Sequence, residues 1–274
     1  MEVCGKSDVG QRKSLNEDSF GIWYTNVDDN ERGIFIVADG VGGEERGEVA
    51  SKTAVSTITN ELIPLLCKTD KVDNQELIQR VSDSIKSANL KILDESEKNN
   101  IKRMATTVSM AVLYDDFLVI ANVGDSRTYV HRGDNLTRIT KDHSLLENLV
   151  DRGKLTREDV ETPRSDKARM NENVVTKVLG NKKDIEPDLF SLHIYNGYDI
   201  FICCDGVTDL LSDKEIESIL SEDESSAKDI CDEIVSLSNE RGGKDNITVV
   251  YVHPTELPDK MEVMMENTIV LTDD

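Results

Sequence analysis

Nowhere in the 274 residues is there an apolar run long enough to span a membrane. The N-terminus also lacks the basic start and apolar stretch of a cleavable signal, so a cytoplasmic protein is expected. Paired cysteines are missing too. None of the five lies at C-x2-C spacing, and two are adjacent inside an apolar run, which argues against a disulfide framework or a zinc ribbon. Cys203 and Cys204 read as small core residues. Positive charge is scarce, with 32 Lys and Arg against 54 Asp and Glu, a net charge of −22. A nucleic-acid partner needs clustered cations and is excluded; a neutral or basic protein surface fits better. No Gly-x4-Gly-Lys-Ser/Thr or Gly-x-Gly-x2-Gly loop occurs, so a nucleotide role has no support. Internal repeats, low-complexity tracts and linkers are absent, which favours one domain. Apolar residues at 38% suffice for its core.

What is present is a recurring pattern of apolar runs that stop at an acid. Gly33-Ile34-Phe35-Ile36-Val37-Ala38 runs into Asp39-Gly40-Val41-Gly42-Gly43, and a run of that length suits a strand buried on both faces. Taken alone, the acid could belong to a plain Asp-Gly turn. The pattern returns in Ile200-Phe201-Ile202-Cys203-Cys204 before Asp205-Gly206, and in Phe117–Ala121 before Asn122-Val123-Gly124-Asp125. Asp245 opens the run Ile247–Val252, and Glu17-Asp18 precedes Phe20–Tyr24. Carboxylates gathered at one rim repel one another unless a cation neutralises them. Oxygen-only ligands with no His or Cys nearby suit magnesium or manganese better than zinc.

Between these runs the periodicity changes. Residues 1–40 read as two strands around a loop carrying Arg12, Lys13, Glu17 and Asp18. Amphipathic helices are predicted over 44–66, ended or kinked by Pro64, and over 74–97. Successive strands over 107–114, 117–121, 128–132 and 136–139 imply antiparallel pairing. A helix starts after Ser144, and a short one follows Thr156 before a loop, 162–173, of a length that is often functional. Strands at 189–195 and 199–204 precede helices from Asp213, with a Ser212/Glu215 capping box, and over 226–239, stopped by Gly242-Gly243. After a strand at 247–252, residues 254–274 read as a polar, loosely attached tail.

In order, the motifs are Arg12…Asn16-Glu17-Asp18, Asp39-Gly40-Val41-Gly42-Gly43, Ala105-Thr106-Thr107, Val123-Gly124-Asp125-Ser126-Arg127, Asp142-His143-Ser144, Asp205-Gly206-Val207-Thr208-Asp209 and Asp245-Asn246-Ile247-Thr248-Val249. This ordered set, over about residues 5–252, resembles the PPM family of metal-dependent Ser/Thr protein phosphatases (protein phosphatase type 2C) in its compact bacterial form. The resemblance implies an α+β fold: two packed, mostly antiparallel β-sheets flanked by α-helices on both sides, a four-layer αββα sandwich. It implies a phosphatase domain over 1–253 with a tail over 254–274.

It also implies two Mn2+ or Mg2+ ions and a third, weaker one. Asp39 matches the bridging carboxylate, Gly40 the carbonyl ligand, and Asp205 and Asp245 the carboxylates on the other ion. Glu17 and Asp18 match acids that hold metal-bound waters. Asp125 matches a ligand of the third ion, or else is a turn acid paired with Arg127. A water bridging two ions would hydrolyse phosphoserine or phosphothreonine in proteins, opposing a Ser/Thr kinase and its targets. Arg12 would clamp the phosphate, although Lys13 stands where many bacterial relatives carry the arginine. Ala105 replaces the family's usual glycine. Val41 stands where some relatives carry a histidine, which leaves water as the acid for the leaving group. His143 reads as a helix-start residue; the 162–173 loop corresponds to the family's variable flap. No membrane partner is implied, and a monomer is expected. The alternatives are a catalytically weak phosphoprotein-binding module and a small-phosphoester hydrolase.

Overall fold

The computed structural model describes residues 1–41, 46–101, 104–156, 174–222 and 225–259. Two five-stranded antiparallel sheets stack face to face. One has the order β1 (Glu2–Asp8), β12 (Ile247–His253), β11 (Asp199–Cys203), β8 (Arg127–Arg132), β9 (Asn135–Arg138). The other runs β10 (Asp188–His193), β7 (Phe117–Val123), β6 (Val108–Tyr114), β3 (Asn30–Ala38), β2 (Ser19–Val27). A short ribbon joins β4 (Gly40–Val41) to β5 (Ala105–Thr106).

The alternation of a strand distributes its side chains between two cores. In β3, Phe35 and Val37 enter the core between the sheets, while Ile34, Ile36 and Ala38 face the helices outside. In β11, Ile200 and Ile202 face inward and Phe201 and Cys203 outward. Strands covered on both faces read as unbroken apolar runs, and this is why the central strands stood out in the sequence. The outer face of the β3 sheet is covered by α1 (Gly47–Leu66) and α2 (Asn74–Lys98), that of the β11 sheet by α5 (Asp213–Leu220) and α6 (Ala227–Glu240). The layers are therefore α, β, β, α. Two short helices, α3 (Leu145–Asp151) and α4 (Asp205–Thr208), complete the set among the described residues.

Two expectations change. Residues 1–40 form three long strands rather than two, because β1 is a half-buried sheet edge with a polar sequence that hides its period. Helix α1 ends at Leu66 as expected, with Pro64 inside its last turn. The polar segment after β12 is anchored at its start, where Thr255 donates from its backbone N (2.9 Å) and its hydroxyl (2.9 Å) to Glu31. The short helix after Thr156, the 162–173 loop and residues 260–274 lie outside the described residues.

Candidate metal centre

Antiparallel registry carries the acids to one rim. Ser19 faces Ala38, so Asp18 and Asp39 lie side by side just beyond the end of that pairing. In the other sheet Cys203 faces both Val249 and Arg127, which gathers Asp205, Asp245 and Asp125 at the same end. The backbone of Asp39 is fixed from both sides. Its N–H donates to Thr107 Oγ1 (3.1 Å), and its carbonyl accepts from Thr107 N (2.8 Å) and Thr106 Oγ1 (2.8 Å). Thr107 also exchanges a hydrogen bond with Ser126 (2.8 Å), beside Asp125. Gly40 admits no side chain, since a Cβ there would come within 2.5 Å of the carbonyl oxygens of Glu17 and Gly47.

Glu17 and Asp18 are buried. Glu17 Oε1 accepts from the N–H of Gly47 (3.1 Å), the first residue of α1. Asp18 ends a chain of hydrogen bonds: Asn16 Nδ2 donates to Ser7 Oγ (2.8 Å), which meets Thr248 Oγ1 (2.7 Å), which donates to Asp18 Oδ2 (2.6 Å). Asn246 ties the loop before β2 to the start of β12. Its Oδ1 accepts from Glu17 N (2.9 Å), and its Nδ2 donates to the carbonyls of Val9 and Leu15 (3.0 Å each). Gly10 turns that loop at φ +79°, where a Cβ would strike the Asp245 carbonyl at 2.2 Å.

Packed together, the acids hold their protons. Removal from water, then Asp18, Asp205 and Asp125, push the Asp39 carboxyl well above the ordinary range. Burial first, and then Asp205 and Asp245 against the hydrogen bonds it accepts, raise Asp18 to about 7. Burial, Asp205 and Asp142 raise Asp125 to about 8, against Arg127. Asp205 is raised by burial and Asp245. Two buried oxygens, Asp18 Oδ1 and Asp205 Oδ1, have no hydrogen-bond partner. Unpartnered carboxylate oxygens among mutually repelling acids are what a hard divalent cation satisfies, so these residues fit one. The cation the chain itself supplies is Lys13, whose Nζ lies 2.6 Å from Asp245 Oδ1. Desolvation works against that ammonium, but Asp245, Asp39 and Glu17 outweigh it and keep it charged.

The acids named from the sequence thus meet. Arg12 stands exposed, held by its backbone N–H on the Gly243 carbonyl (3.1 Å), while Lys13 reaches into the cluster. Arg127 does not pair with Asp125. It forks onto Asp142 at 2.8–3.2 Å, which removes the turn-acid pairing as a reason for Asp125. His143 is structural: its Nδ1 accepts from Gly124 N (2.9 Å) and its Nε2 meets Asp188 (3.1 Å). His193 pairs with Asp116, and His131 and His253 share Asp199.

Sequence reasoning missed the work of Thr106, Thr107 and Asn246, all within motifs already in view. A Thr-Thr pair beside a strand and an Asn after an acid carry no sign of what they hold. It also placed Cys204 in the core alone, whereas the Cys204 sulfur and carboxylate oxygens of Asp18 and Asp39 lie within 4.8 Å of one another.

The sequence matches the family model for protein phosphatase 2C over residues 4–248. The chain belongs to that family. Among curated relatives of this phosphatase, a putative protein phosphatase 2C-type from Streptococcus pyogenes is 33% identical over 92% of this chain and 97% of its own length. Protein phosphatase PhpP of Streptococcus pneumoniae is 31% identical over 93% and 98%. Among solved structures, Stp1 from Staphylococcus aureus superposes with a TM-score of 0.79 at 32% identity, over 93% of this chain and 96% of that one. The catalytic domain of PstP, solved in complex with two manganese ions, gives a TM-score of 0.74 at 27% identity, over 91% and 96%. This phosphatase is thus of the metal-dependent serine/threonine type.

Proposed function

We propose that this phosphatase hydrolyses phosphoserine and phosphothreonine in proteins with two Mn2+ or Mg2+ ions held by Asp39, the Gly40 carbonyl, Asp205 and Asp245. Asp125 with Asp205 would hold a third, weaker ion. Bound hard ions supply a water that ionises near neutral pH and charge that neutralises the phosphoryl oxygens. The chain's own residues do the rest. Asp18 has one oxygen fixed by Thr248, and its Oδ1, left free, would accept a hydrogen bond from a metal-bound water and orient it. Glu17, anchored on α1, would orient further metal-bound water. Arg12 clamps the phosphate with two parallel N–H groups, and Lys13 adds a point charge beside it. The leaving oxygen takes its proton from water.

The observation that carries this reading is the pair of buried, unpartnered oxygens on Asp18 and Asp205 inside the acidic cluster. Its physiological counterpart is a Ser/Thr protein kinase. The test is hydrolysis of a phosphothreonine peptide with manganese, magnesium or a chelator. Turnover is expected only with metal and is lost in Asp39→Asn; full turnover in the chelator ends the reading.

A further inference from the structure

Cys204 is fully buried, yet its sulfur is not confined to apolar company. It accepts from Thr248 N (3.1 Å) and donates weakly to the Asn246 carbonyl (3.4 Å). The carboxylates of Asp18 and Asp39 lie within 4.8 Å of it and of each other. Of the two Asp18 oxygens, Thr248 holds Oδ2, while Oδ1 is buried and has no hydrogen-bond partner. An ion making bonds of about 2.3 Å to sulfur and about 2.1 Å to oxygen would draw donors gathered this closely inward by up to roughly half an ångström each.

We propose that Asp18, Asp39 and Cys204 give this acidic rim a second, thiophilic binding mode, in which one zinc-class ion on one sulfur and two carboxylates excludes the hard pair. Thiolate ligands select soft and borderline cations, while oxygen-only sets suit magnesium and manganese. A coordinating ion strips the thiol of its proton outright, and the Thr248 N–H then supports the thiolate. Asp39 cannot serve both modes at once. An ion bound through Cys204 therefore displaces the pair that Asp39 bridges, and zinc acts as an inhibitor by occupancy.

The inference rests on Asp39 being a metal ligand, not on turnover. Titration of the full chain with cadmium should give a thiolate-to-cadmium ultraviolet band that saturates at one equivalent. Cadmium added to manganese-loaded protein should release free manganese, read by electron paramagnetic resonance. Cys204→Ser should lose the band and bind cadmium roughly tenfold or more weakly. Cys67→Ser, which removes the exposed thiol, should keep it. Should Cys204→Ser fold poorly, X-ray absorption of the zinc-loaded native chain decides: one sulfur neighbour is expected. An oxygen-only shell, a band that survives Cys204→Ser, or cadmium that binds without releasing manganese overturns the proposal. A chain that binds manganese but gives no band loses the thiophilic mode alone, and one that binds neither ion loses the metal reading as well.

Discussion

Asp39, Asp18, Asp205 and Asp125 repel one another, and their carboxyls stay protonated at pH values where exposed carboxyls have ionised. In the unfolded chain these groups ionise near pH 4. Asp18 at about 7 and Asp125 at about 8 therefore let the metal-free fold bind protons that the unfolded chain has released. Their contribution to stability is full below about pH 4 and is lost as pH rises through 7 and 8. Chelated protein should thus have a higher urea midpoint at pH 6 than at pH 8.5, and manganese at pH 8.5 should restore it. A midpoint that rises with pH in the chelator contradicts this account. Asp39→Asn puts a neutral amide where a buried carboxyl can ionise only against its neighbours' repulsion. It should lower turnover by roughly a thousandfold or more while raising the stability of the metal-free protein by about 1–2 kcal/mol. Thermal melts in chelator, run beside the peptide assay, check both effects.

Among the elements, the loop from Val9 to Glu17 is largely exposed, and one buried side chain holds it at three points. Asn246 uses its oxygen and both amide hydrogens to hold that loop against β12. Asn246→Ala leaves two carbonyls and one N–H without partners and should cost about 2–3 kcal/mol. Because the backbone at Glu17, next to Asp18, then loses one of its anchors, manganese affinity should fall with stability, as isothermal titration would show. An unchanged manganese affinity would mean that α1 and the Thr248 chain alone position these acids. Helix α2 offers the contrast. Its N-cap Asp73 accepts from Gln75 N and Glu76 N far along the chain from the acids. Asp73→Ala should cost about 1 kcal/mol in denaturation and leave turnover with the metal unchanged.

For the molecule as a whole, a net charge of −22 produces a field that favours basic substrates. A phosphopeptide flanked by Lys and Arg should be hydrolysed with a higher kcat/KM than one flanked by Glu at low salt, and the gap should shrink as ionic strength rises past 0.15 M. Equal salt dependence for the two peptides would confine the charge to a solubility role. Among the described residues no helix is long and apolar enough to cross a membrane.

The strands buried on both faces were legible because a strand with a core on either side must be apolar throughout, and the acids at their ends interrupt that run. Capping residues such as Ser212 with Glu215 announced their helix for an equally local reason. β1 was not legible, because a half-buried edge tolerates polar residues and leaves no period to read. Nor could spacing along the chain show that Arg127 turns to Asp142, that Thr106 and Thr107 hold the backbone of Asp39, or that Cys204 stands beside two carboxylates. Those pairings depend on which strands become neighbours and in what register, and a hydrogen bond between residues 67 or 68 positions apart leaves no trace in either one's local sequence. The amino-acid order determined the elements and the acids; the stacking of two sheets decided which of their ends met.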